Sequence, residues 1–283
     1  MQFPAAITSR DNPWVKQLHK LANDGAAYRK LGQIWLEGEH LVSSFLHKLQ
    51  NISTIKTEAA QADLAALKPE KILISESYIT RLPSFLASHG LGTLPCPVLV
   101  LADKLLPSVS SLESPAPIGL LLSASAPAQA LQAAPTVVLD RLQDAGNVGA
   151  ILRCASAFGF QQIIAIKGTV GLWSPKVLRA GMGAHFNLQL HEQQDSSAAI
   201  GHLQDLGLPL LATSSHQGQW LHQAQLPAPC AWLLGHEGQG VSRAWQDAAT
   251  GHIRIWQASE ESLNVATAAA ICLHASAAQA MLN

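Results

Sequence analysis

Charged residues are scarce in this sequence, and the two signs nearly cancel. Only 13% of the 283 residues are charged, and the formal net charge is −1. This composition excludes a uniformly basic surface of the kind that attracts nucleic acid from a distance. Contacts with phosphate groups therefore have to come from local clusters of Lys and Arg. The apolar fraction of 48% predicts a folded globular chain, and the length allows two domains with separate cores.

Cysteine pairs and metal-ligand patterns are lacking as well. The chain has four cysteines without a Cys-x-x-Cys pair, and its twelve histidines form no His-x-x-x-His pair on a helix with a carboxylate. We predict no metal site, and we predict buried free thiols at Cys96, Cys154, Cys230 and Cys272. No signal-peptide pattern begins the sequence, and no apolar run approaches the roughly 20 residues that span a membrane. We expect a cytoplasmic protein.

The most informative stretch is TVVLDRLQDAGNVGAILRCASAFGF, at residues 136–160. Its apolar, β-branched start predicts a buried strand over Thr136 to Asp140. A polar turn follows, and from Val148 the apolar residues recur with helical spacing until Gly159, which is placed to end the helix. A strand, a turn and a helix in this order direct backbone N–H groups toward a ligand beyond the carboxyl end of the strand.

Two polar residues of this stretch have both a structural and a functional interpretation. Asn147 lies near the start of the helix, and taken alone it is better explained as the N-cap. Arg153 projects roughly 160° from the middle of the apolar arc, so packing does not require it. Taken alone, it is more often a solvated surface residue. Both functional interpretations stay open at this point.

Residues 1–123 predict a first, smaller α/β domain. Asn12 and Pro13 form a helix start, and the first thirty residues contain five basic against two acidic side chains. Strands are predicted in the short apolar runs 33–36, 52–55, 71–74, 97–101 and 117–123. Helices are predicted at 41–49, 58–67 and 78–88. Residues 124–135, rich in Ala, Pro and Gln and without charge, are predicted to form a linker.

Residues 136–283 predict a second α/β domain. After its first strand and helix, strands are predicted at 162–166, 186–190, 208–213, 231–234 and 252–256. Helices are predicted from Ser174-Pro175 onward and over 197–206, 242–249 and 262–281. The last helix is apolar almost all round and rich in Ala, which favours its coverage by a second subunit.

Three polar or glycine-bearing turns follow strands of the second domain, at 144–149, 235–240 and 257–263. Ligands of open α/β sheets bind at the carboxyl ends of the strands, so the three turns together predict a site. Each turn alone is also explained as a tight turn chosen for its backbone conformation. A nucleotide-binding oxidoreductase is disfavoured because no Gly-x-Gly-x-x-Gly opens the helix after the first strand of either domain.

The motifs of the second domain carry a family resemblance. LDRLQDAGNVGAILRCASAFGF closely resembles the first signature of the SpoU-type (TrmH-like) RNA ribose 2′-O-methyltransferases of the SPOUT class. SPKVLRAGMGAHF (174–186) is similar to the intermediate motif of that family, LLGHEGQGV (233–241) to its second and ESLNVATAAAICL (261–273) to its third. The opening pattern, ITSRDNPWVKQLHKL followed by LEGEHLV, resembles the substrate-binding domain that accompanies many of these enzymes.

The resemblance implies a fold and an activity. It implies a C-terminal SPOUT-type α/β domain with a trefoil knot at 136–283, preceded by an α/β RNA-binding domain at 1–123. It further implies S-adenosylmethionine as cofactor and a homodimer, for which the last helix of the C-terminal domain is the expected interface; the lack of long apolar runs already predicts no membrane partner. The implied reaction is methylation of a ribose 2′-hydroxyl in structured RNA, with rRNA favoured over tRNA.

The resemblance also implies roles for individual residues. Arg153 matches the motif arginine proposed as general base, which for a guanidine requires help from a substrate phosphate. The other implied catalytic and positioning residues are Asn147, Glu237, Ser262 and Asn264. Backbone groups expected to hold the cofactor are those of Thr213, Leu233, Gly235, Ile255 and Leu263. The basic residues expected to contact RNA in the first domain are Lys16, Lys20, Arg29 and Lys30.

The sequence departs from the family pattern at two places. His236 stands where the second motif commonly has Asn, and the approach to the third motif, residues 255–259, is one residue shorter. An RNA-binding protein of the same fold without turnover is therefore the alternative. Retention of the catalytic residues that the resemblance implies argues against this alternative.

Overall fold

The structure, a computed structural model, describes residues 3–55, 57–124, 130–214, 217–259 and 263–282. Its first helices are α1 (Pro13–Asn23), α2 (Ala27–Leu31), α3 (Glu39–Gln50), α4 (Glu58–Ala66) and α5 (Leu82–Ser88). The strands between and after them are β1 (Gln33–Glu37), β2 (Leu67–Ser75), β3 (Val98–Leu101) and β4 (Ile118–Ala124). Asn12 caps α1 by accepting the backbone N–H of Trp14 at 2.9 Å, and Pro13 is its first residue, as the sequence predicted.

The four strands form one sheet in the order β1-β4-β2-β3. Only β2 and β3 run parallel, and the pairs on either side of β4 are antiparallel. The predicted strand at 52–55 is wrong, because Ile52–Thr54 forms a 3-10 turn that continues α3. The helix predicted at 78–88 begins only at Leu82, because Glu76–Tyr78 forms a separate 3-10 turn before it.

The rest of the chain alternates strands and helices. The strands are β5 (Thr136–Asp140), β6 (Gln162–Ile166), β7 (Gln189–Gln194), β8 (Leu210–Thr213), β9 (Gln219–Trp220), β10 (Ala231–Gly235) and β11 (Gly251–Arg254). The helices are α6 (Ala145–Ala157), α7 (Pro175–Gly181), α8 (Ser196–Asp205), α9 (Arg243–Ala248) and α10 (Val265–Ala280).

These seven strands form a second sheet in the order β7-β6-β5-β10-β8-β11-β9, and all its neighbouring strands are parallel. Every residue of β5, β6 and β10 is buried, as expected when helices cover both faces of a parallel sheet. The chain builds outward from β5 to β6 and β7, and then continues on the other side of β5. The strand order therefore reverses between β5 and β10, which is the position where open α/β sheets bind ligands.

The chain divides into two compact units. One unit contains Met1–Pro127 and Trp173–Phe186, and the other contains Ala128–Leu172 and Asn187–Asn283. The sequence instead assigned all of 136–283 to one domain. The segment Trp173–Phe186 joins the first unit because Leu178 and Phe186 are part of its apolar core. Of the predicted linker at 124–135, residues 125–129 lie outside the described residues.

Two further strand boundaries differ from the predicted ones. The strand predicted at 186–190 begins only at Gln189, because Phe186 lies in a 3-10 turn and packs edge-on against Phe45 with ring centroids 5.3 Å apart. The last strand ends at Arg254, two residues before the predicted end.

The four cysteines are free. Cys230 and Cys272 are buried, whereas Cys96 and Cys154 are half-buried. Burial raises the pKa of the Cys230 thiol to about 11 and that of Cys272 to about 12, so neither is a nucleophile at neutral pH. The described ranges contain no group of three or more His, Cys, Asp or Glu side chains arranged for a metal ion. Nor does any helix within these ranges combine the length and apolarity that crossing a membrane requires.

Candidate active site

The three loops predicted to share one edge follow β5, β10 and β11. Because these strands are parallel, their last residues, Asp140, Gly235 and Arg254, lie at the same edge of the sheet. Asp140 and Gly235 are direct partners in the register of β5 and β10. The candidate site therefore lies where the strand order reverses.

Helix α6 begins three residues earlier than predicted. Its N-cap is Asp144, whose Oδ1 accepts the backbone N–H of Asn147 at 2.7 Å. The interpretation of Asn147 as the N-cap is therefore wrong, because Asp144, an equally good capping residue, occupies that position three residues earlier. This arrangement leaves the side-chain amide of Asn147 available for contacts with other loops.

Glu237, in the loop after β10, uses its carboxylate to bind the start of α6. Oε1 accepts the backbone N–H of Asp144 at 3.2 Å and Nδ2 of Asn147 at 3.3 Å, and Oε2 accepts the backbone N–H of Gln143 at 3.4 Å. Burial by itself would raise the pKa of Glu237. The hydrogen bonds that its carboxylate accepts outweigh burial and lower this pKa below the usual value.

Asn264 connects the third motif to the same cluster. Its Nδ2 donates to Oδ1 of Asn147 at 2.9 Å. Its own Oδ1 caps α10 by accepting the backbone N–H groups of Ala266 and Thr267 at 2.9 and 3.3 Å. The structure thus joins Glu237, Asn147 and Asn264, from three separate motifs, in one chain of hydrogen bonds.

Arg153 lies on the same helix as Asn147 but outside this chain of hydrogen bonds. It is exposed, whereas Val148, Ile151 and Leu152 on the opposite face are fully buried. Six residues of helix separate Arg153 from Asn147, which is about 9 Å along the axis. Among the residues that the structure describes, none forms a hydrogen bond or ion pair with the Arg153 side chain. Its guanidinium is therefore accessible to a ligand.

Of the predicted cofactor residues, Thr213 ends β8, Gly235 ends β10 and Ile255 directly follows β11, whereas Leu233 lies within β10. The hydroxyl of Thr213, next to the last residue of β8 that pairs with β10, donates to the carbonyl oxygen of Leu233 in β10 at 3.2 Å. Ile255 is half-buried and Leu263 is 37% exposed. Ser262, the remaining predicted catalytic residue, lies outside the described residues, and the predicted start of the last helix moves from 262 to Val265.

His236, the departure from the second motif, makes a local bond that an Asn could also make. Its Nδ1 accepts the backbone N–H of Gly238 at 3.0 Å, which fixes the tautomer with the proton on Nε2. An Asn side chain accepts the same bond, two residues ahead, in an Asx turn. The substitution therefore keeps the turn that presents Glu237.

Four further residues at this edge, which the sequence did not single out, are Asp140, Arg141, Gln239 and Ser242. Asp140 is 1% exposed, and its carboxylate accepts the backbone N–H of Ser242 at 2.6 Å and Nε of Arg141 at 3.1 Å. Arg141 also donates from Nη1 to Oε1 of Gln239 at 3.1 Å. The available signal was Asp140 itself, a carboxylate at the end of an otherwise apolar buried strand.

The predicted RNA-binding residues are on the surface of the first unit. Lys16, Lys20, Arg29 and Lys30 are all exposed. Lys16 lies 2.9 Å from the carboxylate of Asp11, and the guanidinium of Arg29 lies 5.1 Å from the centre of the Tyr28 ring. Lys16 and Lys20 are four residues apart on α1 and therefore share one face of that helix.

The parallel sheet and the hydrogen-bonded loops at its switch point define an α/β protein with a ligand site at the carboxyl edge of the sheet. The sequence profile of the SpoU rRNA Methylase family matches residues 134–274 of the chain. The chain belongs to the SpoU rRNA methylase family. The predicted family is thus confirmed, and with it the mixed α/β fold class.

Similar proteins include an uncharacterized tRNA/rRNA methyltransferase of Synechocystis, 31% identical over 279 residues that span 95% of this chain and 92% of that protein. The 23S rRNA (guanosine(2553)-2′-O)-methyltransferase RlmP of Bacillus subtilis is 27% identical over 95% of this chain and 97% of its own length. A crystal structure of an RNA 2′-O ribose methyltransferase, 26% identical, covers 98% of this chain and 100% of its own with a TM-score of 0.75.

Proposed function

We propose that this protein transfers the methyl group of S-adenosylmethionine to the 2′-hydroxyl of a ribose in structured RNA, with rRNA preferred over tRNA. The observation that carries the proposal is the hydrogen-bonded chain Glu237–Asn147–Asn264 at the switch point of the sheet. It joins the three motifs that family members use for this reaction. RlmP, which spans nearly the same length, is named for a 2′-O-methylation of rRNA.

The carboxyl edge suits S-adenosylmethionine in its chemistry. An adenine ring needs apolar surface and backbone hydrogen-bonding groups, and the residues around the ends of β10 and β11 offer both. Trp256 is 63% exposed and Leu263 is 37% exposed, beside the irregular backbone of residues 255–259. We assign the cofactor contacts to backbone groups of Thr213, Leu233, Gly235, Ile255 and Leu263. The cofactor supplies, when bound, an electrophilic methyl group with a neutral thioether as leaving group.

The protein's own residues then have to activate and orient the ribose. A 2′-hydroxyl attacks poorly unless a base removes its proton. We assign this role to Arg153, whose exposed guanidinium, like any guanidine, requires help from a phosphate of the substrate to act as a base. Asn147, Asn264 and Glu237 hold the start of α6 and of α10 in place, and so orient the ribose. Ser262 completes the proposed set by positioning Arg153 or the ribose.

Methylation of separate RNA pools tests this function. rRNA and tRNA from cells lacking the protein are incubated with it and labelled S-adenosylmethionine, and their nucleosides are then analysed by mass spectrometry. We expect label in rRNA, as a 2′-O-methylated nucleoside, and none in tRNA. Label in tRNA alone would reverse the substrate preference. Absence of label in both pools, with RNA still bound, would favour the RNA-binding alternative without turnover.

We propose that α1 and α2 contribute phosphate contacts through Lys16, Lys20, Arg29 and Lys30. Replacing Lys16 and Lys20 with Glu is expected to weaken RNA binding about tenfold and to reduce the dependence of log K on log salt concentration by about 2 units. Filter binding across a salt series measures both quantities. The matched control replaces Lys68 and Lys104, two exposed lysines of the same unit, with Glu and so makes the same change in net charge. Equal weakening by the control would assign the effect to net charge alone.

We propose a homodimer formed through α10. This helix buries Ala269, Cys272, Leu273 and Ser276 within the chain, but leaves Ile271 38% exposed beside a row of alanines. Sedimentation velocity at micromolar concentration is expected to give twice the chain mass of 30.0 kDa. Replacing Ile271 with Glu should give the monomer mass, because a buried charge is costly. A monomeric wild-type protein would refute the dimer. The trefoil knot and the cytoplasmic location stay predictions.

A further inference from the structure

The loop after β10, residues 236–242, is held to the end of β5 by two residues without an assigned role. The buried carboxylate of Asp140 accepts the backbone N–H of Ser242 at 2.6 Å, at the end of this loop. The guanidinium of Arg141 donates to Oε1 of Gln239 at 3.1 Å, in the middle of the loop. Nε of Arg141 in turn donates to Asp140 at 3.1 Å, so the two attachments form one network.

Arg141 reaches this position through an unusual backbone conformation. Its φ of 62° is left-handed, a region that residues other than Gly rarely adopt. Gly168, itself at φ 96°, lies beside the stem of Arg141, where a Cβ would be 3.4 Å from Cγ of Arg141, an ordinary van der Waals contact. Strained backbone of this kind persists where the surrounding structure requires it, and it is concentrated at functional sites.

The loop also closes tightly onto the strand that it follows. A Cβ on Gly235 would lie 2.0 Å from the backbone nitrogen of Val241 and 2.1 Å from the carbonyl carbon of Gly240. The backbone of the loop therefore passes directly over the end of β10. The loop follows Gly235 and contains Glu237, and both residues belong to the proposed site. The shape of the loop therefore decides where the Glu237 carboxylate lies.

Stability alone does not explain the network. The ion pair joins the buried carboxylate of Asp140 to the half-buried guanidinium of Arg141, and it contributes little net free energy because the cost of removing charge from water offsets the attraction. An apolar residue at the end of β5 would be the simpler choice for the core. The network instead connects the end of β5 to the loop after β10, the two strands on either side of the switch point.

We propose that Asp140 and Arg141 are positioning residues that hold the 236–242 loop in the shape that binds S-adenosylmethionine. This inference rests on the proposed function. Because a restrained loop loses less entropy when the cofactor binds, the network should act on cofactor affinity more than on the chemical step. Saturating cofactor would hold the loop in the same shape and restore the turnover rate.

The test uses Gln239→Ala and Asp140→Asn in the full chain. Gln239 is exposed, so its variant removes only the Arg141 attachment without a change in the core. Asp140→Asn keeps the shape of the side chain, but its NH₂ group would face either the backbone N–H of Ser242 or Nε of Arg141, both of which are donors. We expect Gln239→Ala to raise the KM for S-adenosylmethionine about fivefold and Asp140→Asn about 20-fold, with kcat within about twofold of wild type.

A second readout does not depend on the cofactor. Hydrogen–deuterium exchange of the unliganded protein reports the opening of the loop, and the Ser242 amide should exchange about tenfold faster in Asp140→Asn. Gln225→Ala, an exposed glutamine of the same unit outside the loop, is the matched control and should change neither quantity. Unchanged loop exchange in both variants, or a fall in kcat with KM unaltered, overturns the proposal. A wild-type protein that binds no S-adenosylmethionine overturns the proposed function itself and with it the role toward the cofactor.

Discussion

Replacing Arg153 with Ala is expected to lower kcat for RNA methylation about 1,000-fold, the contribution of a positioned general base. The affinity for S-adenosylmethionine should stay within about threefold of wild type, because Arg153 is exposed and is not among the residues that we assign to the cofactor. Single-turnover methylation of rRNA measures the first quantity, and isothermal titration of the cofactor measures the second.

Arg243→Ala is the matched control for this experiment. Arg243 is an arginine of the same unit with a side chain 93% exposed, and it forms an ion pair with Asp247 on its own short helix. We expect full activity in this variant. If Arg153→Ala keeps substantial turnover, Arg153 is not the base. If Arg153→Ala loses cofactor affinity and activity together, its role is in binding.

Replacing Glu237 with Gln is expected to lower kcat/KM about 30-fold, which corresponds to about 2 kcal/mol. The carboxylate accepts three hydrogen bonds from Gln143, Asp144 and Asn147, and an amide offers only one oxygen for them. The NH₂ group of the Gln side chain would face the backbone N–H of Gln143 or Asp144, which is also a donor. The start of α6 would then move away from the second motif, and Asn147 would lose its fixed orientation.

The pH dependence separates this electrostatic role from a purely steric one. The pKa of Glu237 is lowered in the folded protein, so its carboxylate stays charged below the pH at which a Glu side chain usually protonates. The stabilisation from its hydrogen bonds is present above the usual pKa and is lost as the pH falls through the lowered one. Wild-type activity should therefore have an acidic limb at low pH that Glu237→Gln lacks. An identical limb in both proteins would contradict the assignment.

Much of the fold follows from patterns within single segments. Strands β5 and β6 have the bounds that their apolar runs predict, at Thr136–Asp140 and Gln162–Ile166. Gly159 ends the first helix of the second unit with φ 81°, the conformation for which it was singled out. Burial of Val148 and Ile151 and exposure of Arg153 follow directly from the helical period. The family follows from motifs whose spacing is intact.

Other features depend on residues that compete or meet from distant parts of the chain. Asn147 is a residue type that favours the N-cap, but Asp144, three residues earlier, occupies that position. Phe186 has the apolar, β-type neighbours of a strand, but its ring is required in the core of the first unit against Phe45. In both cases a local preference worth about 1 kcal/mol yields to a competing contact of equal or larger energy.

The sequence by itself determined the family and the strand and helix alternation of the second unit, and it singled out Asn147, Glu237 and Asn264 as candidate site residues. Only the tertiary structure decided which of them touch. Glu237 contacts Asn147 across 90 residues, Asn264 contacts Asn147 across 117, and Ser242 contacts Asp140 across 102. No periodicity encodes such pairs, because hydrogen-bond partners are chosen by the geometry of the assembled sheet edge and not by spacing along the chain.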